Sequence, residues 1–127
     1  AAAAALGRRG GRVVDCDALG HAALELPDVT ATLVARWGTD TVLRPDGAVN
    51  RRGIAAVVFP NPAERRALEQ TVFAVIRGMA ERDIAAAAAD PAVRFVVLDA
   101  AVMLEAGWNN VCDRIVYVDA PLDLRLA

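Results

Sequence analysis

The sequence predicts an α/β fold in which helices cover a parallel sheet, and two observations carry this prediction. Three short segments, each between an Arg and an Asp, have continuous apolar interiors instead of alternating ones: residues 12–15, 94–99 and 114–119. Strands that are buried on both faces have this composition, and parallel sheets between helices are their usual setting. The segments that separate the runs have helical periodicity, so the element order is that of parallel strands joined by crossover helices.

The first elements follow from local signals at the start of the chain. Residues 1–6 are typical of the end of a helix, with Gly7 as the residue that follows its last turn. Residues 8–11 form a short turn before the first strand. With Gly7 included, this segment (residues 7–11, GRRGG) resembles an arginine–glycine segment that binds nucleic acid. A single copy in an acidic chain favours the turn.

Two helices are predicted in the first half of the segment between the first and second strands. Pro27 begins a helix that Gly38 ends, because proline suits the first helical position and glycine the position after the last. Residues 43–47 (LRPDG) have the composition of a turn. Asn50 can then cap a helix that runs to Val58.

A third, longer helix is predicted before the second strand. It begins at Pro62 behind Asn61 and continues to Ala89, where the Asp90–Pro91 pair stops it. Its apolar side chains recur at the spacing of one helical face, as in Leu68, Val72, Val75, Ile76 and Met79.

Composition excludes several classes of function. The chain has 127 residues, which allows one domain, and its net charge of −2 argues against a broad nucleic-acid-binding face. All 14 basic residues are Arg, so no mechanism here uses a Lys point charge. No apolar run is long enough to cross a membrane. Two distant cysteines and one histidine do not supply the usual ligands of a zinc site. Free thiols are typical of proteins in a reducing cytoplasm, and we expect that location here.

Acidic residues follow each predicted strand, at Asp15, Asp99 and Asp119, with Asp17 two positions after the first. Ligands of parallel sheets bind beyond the carboxyl ends of the strands, where carboxylates can hold Mg²⁺ through water or accept a proton. The alternative is helix capping, because Asp is a preferred N-cap residue. Capping is favoured for Asp119. Function is favoured for the Asp15–Asp17 pair, because two carboxylates exceed what one cap requires.

Other chemistry-bearing residues have ordinary structural interpretations. The arginine pairs Arg51–Arg52 and Arg65–Arg66 could bind phosphates, but a solvated helix face is favoured for each pair taken alone. Cys16 lies between two acidic residues that disfavour its thiolate, so it is predicted to be a small side chain at the strand end and not a nucleophile.

The aromatic residues and the single histidine are likewise predicted to be structural. Trp37 and Trp108 are interpreted as packing residues, and His21 as a helix residue without a catalytic role.

Five segments, in this order, match the pattern of one enzyme family. They are residues 13–21 (VVDCDALGH), 43–51 (LRPDGAVNR), 58–69 (VFPNPAERRALE), 98–107 (LDAAVMLEAG) and 112–121 (CDRIVYVDAP). Together they resemble dephospho-coenzyme A kinase, a P-loop kinase of the nucleoside-monophosphate-kinase type. The resemblance covers nearly the whole chain.

The resemblance implies a three-layer, P-loop kinase-like parallel sheet, incomplete here, with a helical insertion at about residues 18–90 in a single partial domain over residues 1–127. It implies ATP- and Mg²⁺-dependent phosphorylation of the ribose 3′-hydroxyl of dephospho-coenzyme A, the last step of coenzyme A synthesis. Asp17 would be the catalytic base, with Asp15 beside it in the substrate site. Arg51 would contact the substrate from the insertion. The partner is then this small molecule, and the sequence indicates no oligomeric state.

The chain also departs from the family pattern. It contains no G-x-x-x-x-G-K-[ST] element and no arginine-bearing lid, so the chain alone is expected to be inactive. The His-Pro pair of the family is replaced by Phe73-Ala74, and the Pro of its "DxP" motif by Ala101. These departures leave two alternatives open: a non-catalytic module that binds a nucleotide or a partner, and a kinase that acts on another small acceptor.

Overall fold

The computed structural model of the protein describes residues 2–100 and 107–125. In the described residues one helix precedes the first strand, and five helices separate it from the second strand. A short 3-10 helix and a last α-helix follow. In chain order the elements are α1 (Ala2–Gly7), β1 (Gly11–Asp15), α2 (Cys16–Leu24), α3 (Pro27–Trp37), α4 (Thr39–Val42), α5 (Arg51–Val58), α6 (Pro62–Ala88), β2 (Phe95–Asp99), the 3-10 helix (Trp108–Val111) and α7 (Leu122–Arg125).

The strands β1 and β2 pair in parallel, as the sequence predicts. Their register runs from Gly11 opposite Phe95 to Asp15 opposite Asp99. Val14 is buried in the same core cluster as apolar side chains of α6, whereas Val13 lies on the other face of the strand. The end of α1 lies against Val13. Helices therefore lie on both sides of the sheet, which makes the arrangement an α/β fold with helix, sheet and helix layers.

The helix starts between the strands are where the sequence predicts them. The side chain of Asn50 accepts a hydrogen bond from the backbone N–H of Gly53, and Asn61 accepts from Ala63 and Glu64. Each bond satisfies an N–H group that the first helical turn leaves without a partner. In the described ranges no helix, the 27-residue α6 included, is long and apolar enough to cross a membrane.

The hydrophobic core joins the helical segment to the sheet. Its best-buried large side chains are Leu33 of α3 and Val42 of α4. Trp108 is also buried, and its ring meets Phe73 of α6 edge-on at a centroid distance of 5.8 Å. Trp108 is thus a packing residue, as predicted, and Phe73 fills the core beside it.

The predicted third strand is absent from the described structure. Residues 114–121 have no regular secondary structure and pair with neither β1 nor β2. Ile115, Val116, Tyr117 and Val118 are between 49% and 80% exposed. The prediction was wrong here because an apolar run forms a buried strand only where neighbours cover it, and the described residues supply none.

Smaller differences concern single residues near chain turns. Gly7 is the last residue of α1, and the left-handed residue of the following turn is Gly10, with φ of 96°, so the prediction for Gly7 was wrong. Asp119 does not cap α7, because that helix begins at Leu122 and leaves Asp119 two residues outside the capping position. The departure at Ala101 and the rest of residues 101–106 lie outside the described residues.

Glu64 connects α6 to α3. Its carboxylate accepts hydrogen bonds from Arg36 Nε at 2.7 Å and Arg36 Nη2 at 3.2 Å, and a further one from Trp37 Nε1 at 2.6 Å. The hydrogen bonds from Arg36 and then from Trp37 lower the pKa of Glu64 below its ordinary value. Since Glu64 lies in the first turn of α6, this contact fixes the start of that helix against the end of α3.

We expect Glu64→Gln to lower the melting temperature at neutral pH, because the amide loses the charge that Arg36 meets. The folded pKa of Glu64 lies below its unfolded pKa of about 4.3. Its contribution to stability is therefore fully present above the unfolded pKa and is lost as pH falls through the lower folded pKa. Thermal melts between pH 7 and pH 3 should show the gap between wild type and variant closing with acid. A gap that stays constant with pH, or an equal effect from Glu69→Gln on the same helix, would contradict this role.

Candidate active site at the ends of the strands

The carboxyl ends of β1 and β2 bring two acidic residues side by side. Asp15 and Asp99 are register partners in the parallel pair. Neighbouring strands lie about 4.8 Å apart, so the two backbones hold these residues at adjacent positions on one edge of the sheet. The predicted gathering of acidic residues is therefore confirmed for two strands. It was wrong for Asp119, which lies exposed on the segment that joins no sheet.

Asp15 turns the chain from β1 directly into α2. Its Oδ1 accepts hydrogen bonds from the backbone N–H groups of Asp17, at 3.0 Å, and Ala18, at 3.2 Å. Asp15 is thus the N-cap of α2, which is the structural alternative that the sequence left open for it. One carboxylate satisfies the cap, and the second carboxylate of the pair is left for another use.

Asp17 supplies that second carboxylate. It lies in the first turn of α2 and is exposed, and within the described ranges its side chain accepts no hydrogen bond. An exposed carboxylate can accept a proton from a hydroxyl group that is brought within hydrogen-bonding distance.

Cys16 is buried between the acidic residues. The pKa of its thiol is raised to about 11, first by burial and then by the negative charges of Asp15, Asp99 and Asp17, in that order of importance. At neutral pH this thiol is protonated and unreactive, as the sequence predicts.

Arg51 lies in a different part of the fold. It is the first residue of α5, half-exposed, and its Nη2 lies 3.5 Å from Glu25 Oε1. Glu25 is the C-cap of α2, at the opposite end of that helix from Asp17. The structure therefore brings Asp15 and Asp17 together and places Arg51 about one helix length away from them.

Two residues of interest were not assigned a role from the sequence. Asp99 was recognised as a strand end, but its pairing with Asp15 depends on the order of strands in the sheet. Arg44 lies on the turn before α5, and an antiparallel bridge between Leu43 and Val49 folds that turn back towards Arg51. Five residues, which include Asp46-Gly47, lie between the two partners of the bridge. This short turn was the sequence signal for the position of Arg44, because such turns close tightly.

Metal ligands do not cluster in the described residues. No group of three or more His, Cys, Asp or Glu side chains in residues 2–100 and 107–125 is arranged to hold a metal ion. Asp15 Oδ1 is occupied by two backbone N–H groups. The carboxylates at the strand ends therefore do not form a complete site for Mg²⁺ by themselves.

Comparison with known proteins gives a consistent result. The sequence model of the family described as dephospho-CoA kinase matches residues 1–127. The chain is similar to dephospho-CoA kinases from Anaeromyxobacter dehalogenans (37% identical over 123 residues), Symbiobacterium thermophilum (37% over 117) and Aromatoleum aromaticum (35% over 130). These matches cover 97%, 87% and 100% of this chain, but 58%, 47% and 60% of the respective relatives. The chain thus spans about half to three fifths of the length of these relatives.

The raised thiol pKa predicts slow modification of Cys16. A rise from 9.0 to about 11 leaves about a hundredfold less thiolate at pH 8, and the thiolate is the form that reacts. Native protein treated with iodoacetamide at pH 8 should therefore show alkylation of the Cys16 peptide about a hundredfold slower than protein unfolded in guanidinium, followed by mass spectrometry. Equal rates in the two states would show that the thiol is neither buried nor perturbed.

The cap at Asp15 predicts a loss of stability on truncation. Asp15→Ala should lower the free energy of unfolding by about 1 kcal/mol, the usual cost of removing an N-cap acceptor. Asp15→Asn keeps an oxygen acceptor and should retain most of that stability. Denaturant titrations of the two variants test this, and an equal loss in both would mean that the charge, not the capping bond, is what matters.

Proposed function

Because this chain belongs to the dephospho-CoA kinase family, we propose that the complete protein phosphorylates the ribose 3′-hydroxyl of dephospho-coenzyme A, the last step of coenzyme A synthesis. The observation that carries this proposal is the pair of carboxylates at the end of β1. Asp15 is used by the helix cap, and Asp17 is left exposed as a proton acceptor beside the strand ends.

Asp17 acts as the general base in this proposal. The oxygen of the acceptor hydroxyl forms a bond to the γ-phosphorus, the bond from that phosphorus to the ADP oxygen breaks, and the hydroxyl proton passes to the Asp17 carboxylate. ATP supplies the phosphoryl group when it is bound, and no P-loop element for holding it occurs in these 127 residues. Asp17 belongs to the acceptor side of this step. In the described residues no group of three or more ligating side chains is arranged to hold Mg²⁺.

The helical segment at about residues 18–90 is proposed to bind the acceptor. It lies between β1 and β2 in the sequence and consists of α2 to α6, so it begins at the helix that carries Asp17. Arg51, at the start of α5, is proposed to contact the substrate, because its guanidinium is half-exposed and an arginine can meet a phosphate with two parallel hydrogen bonds.

The replacement of the family's histidine by Phe73 has a structural explanation. Phe73 packs edge-on against Trp108, so the position serves the core between α6 and the 3-10 helix. We place the protein in the cytoplasm, in keeping with a buried thiol at Cys16 that forms no disulfide.

Asp17→Asn in the complete protein should lower kcat about 10²–10⁴-fold, the range of general acid–base catalysis, without lowering the melting temperature. The fold is retained because the capping bond uses the backbone N–H of residue 17 and not its side chain. Asp28→Asn, in the first turn of α3, is the matched control and should leave turnover unchanged. Steady-state turnover of dephospho-coenzyme A measures both, and full activity of the Asp17 variant would remove the role of base from this residue.

A further inference from the structure

Three arginines line one open cleft next to the start of α5. The cleft has a volume of about 420 Å³, and its walls are formed by Arg44, Val49, Asn50, Arg51 and Arg52. The bridge between Leu43 and Val49 returns the turn to α5, and this brings Arg44 beside two arginines that follow it by seven and eight positions. Three permanent positive charges thus face a single concave surface on a chain of net charge −2.

The charges of these arginines are available to a ligand. Arg44 Nε lies 3.9 Å from Asp46 Oδ1, and Arg51 Nη2 lies 3.5 Å from Glu25 Oε1. All four side chains are between 49% and 68% exposed, and ion pairs as long and as exposed as these contribute little. Arg52 makes no ion pair with the described residues. A phosphate, which offers more oxygens and more charge than a single carboxylate, can replace both weak pairs with bidentate hydrogen bonds.

We propose that this cleft, defined by Arg44, Arg51 and Arg52, binds the diphosphate of the acceptor substrate. The proposal rests on the proposed function, and it assigns to Arg44 and Arg52 a binding role beside that of Arg51. Two adjacent phosphates carry charges over several oxygens, which three guanidinium groups on one surface can meet together. A single carboxylate would leave at least one of these cations without a partner.

The position of the cleft sets the length of the ligand that can use it. Asp17 and Glu25 lie eight positions apart along α2, which corresponds to about 12 Å. Arg51 contacts Glu25, so an acceptor whose hydroxyl lies at Asp17 must carry its anionic group roughly one helix length away. In dephospho-coenzyme A the diphosphate is attached on the 5′ side of the same ribose, only a few bonds from the 3′-hydroxyl, so the long arginine side chains must extend from the cleft towards Asp17 to meet it.

A second cleft continues from the first and offers space beyond the diphosphate. It has a volume of about 630 Å³ and shares Val49 with the arginine-lined cleft. Its other walls include Val34, Leu43 and Glu25, and they contain no arginine. A molecule that continues past its diphosphate with an uncharged arm therefore finds a second cleft without arginines beside the first.

The test compares affinity with turnover in the complete protein. Arg44→Gln and Arg52→Gln should each raise the KM for dephospho-coenzyme A about tenfold or more, with the double variant higher still, while kcat changes little. Binding of inorganic pyrophosphate, measured by calorimetry with the nucleotide site filled by a non-hydrolysable ATP analogue, should weaken in parallel. Arg82→Gln, exposed on α6, is the control and should change neither quantity.

Four results would overturn the proposal or separate it from the proposed function. An unchanged KM in the double variant overturns it, and so does an equal effect from Arg82→Gln. If a Gln variant melts at lower temperature, the Lys variant at the same position keeps the charge without the bidentate geometry. Partial recovery of affinity with Lys supports the proposal, and wild-type affinity in a Gln variant that is still folded overturns it. If the wild-type protein fails to phosphorylate dephospho-coenzyme A, the proposed function fails. Pyrophosphate binding that the arginine variants weaken would still support the cleft as a diphosphate site.

Discussion

The parallel register of β1 and β2 is the constraint on which the rest of the site depends. It aligns Asp15 with Asp99, so both strands end at the same edge. Asp15 then caps α2 within the same turn, and the helix must start where the strand stops. As a result Asp17 is held by backbone geometry, not by contacts of its own side chain. A shift of one residue between the strands would separate the aspartates and point the valines of β1 to the opposite faces.

Local signals predicted most of the fold, and non-local ones account for what was missed. Asn50, Asn61 and Gly38 act within a few residues of themselves, so the helices that they begin or end were predicted correctly. The run at residues 114–119 was wrong as a strand, because its burial depends on neighbours that no local pattern reveals. For the site, Asp15 and Asp17 were identifiable from the sequence. The meeting of Arg44 with Arg52 required the folded turn.

The structure separates two kinds of chemistry along α2. Its N-terminal end carries the carboxylates at the edge of the sheet, and its C-terminal end lies beside the arginines of α5. The Glu64 contact holds the end of α3 to the start of α6, the longest helix in the described residues. The proposed proton acceptor lies at one end of α2 and the proposed anion-binding arginines lie beside the other end, so α2 sets the separation between the two.

The exposed run of residues 115–118 has a practical consequence when the 127 residues are prepared as a separate protein. Exposed β-branched and aromatic side chains outside the two-stranded sheet of the described residues mark a run that a second copy can pair with. Such a fragment would self-associate through edge-to-edge strand addition as its concentration rises. Charged substitutions at Val116 or Tyr117 would reduce this self-association in samples for spectroscopy or crystallisation.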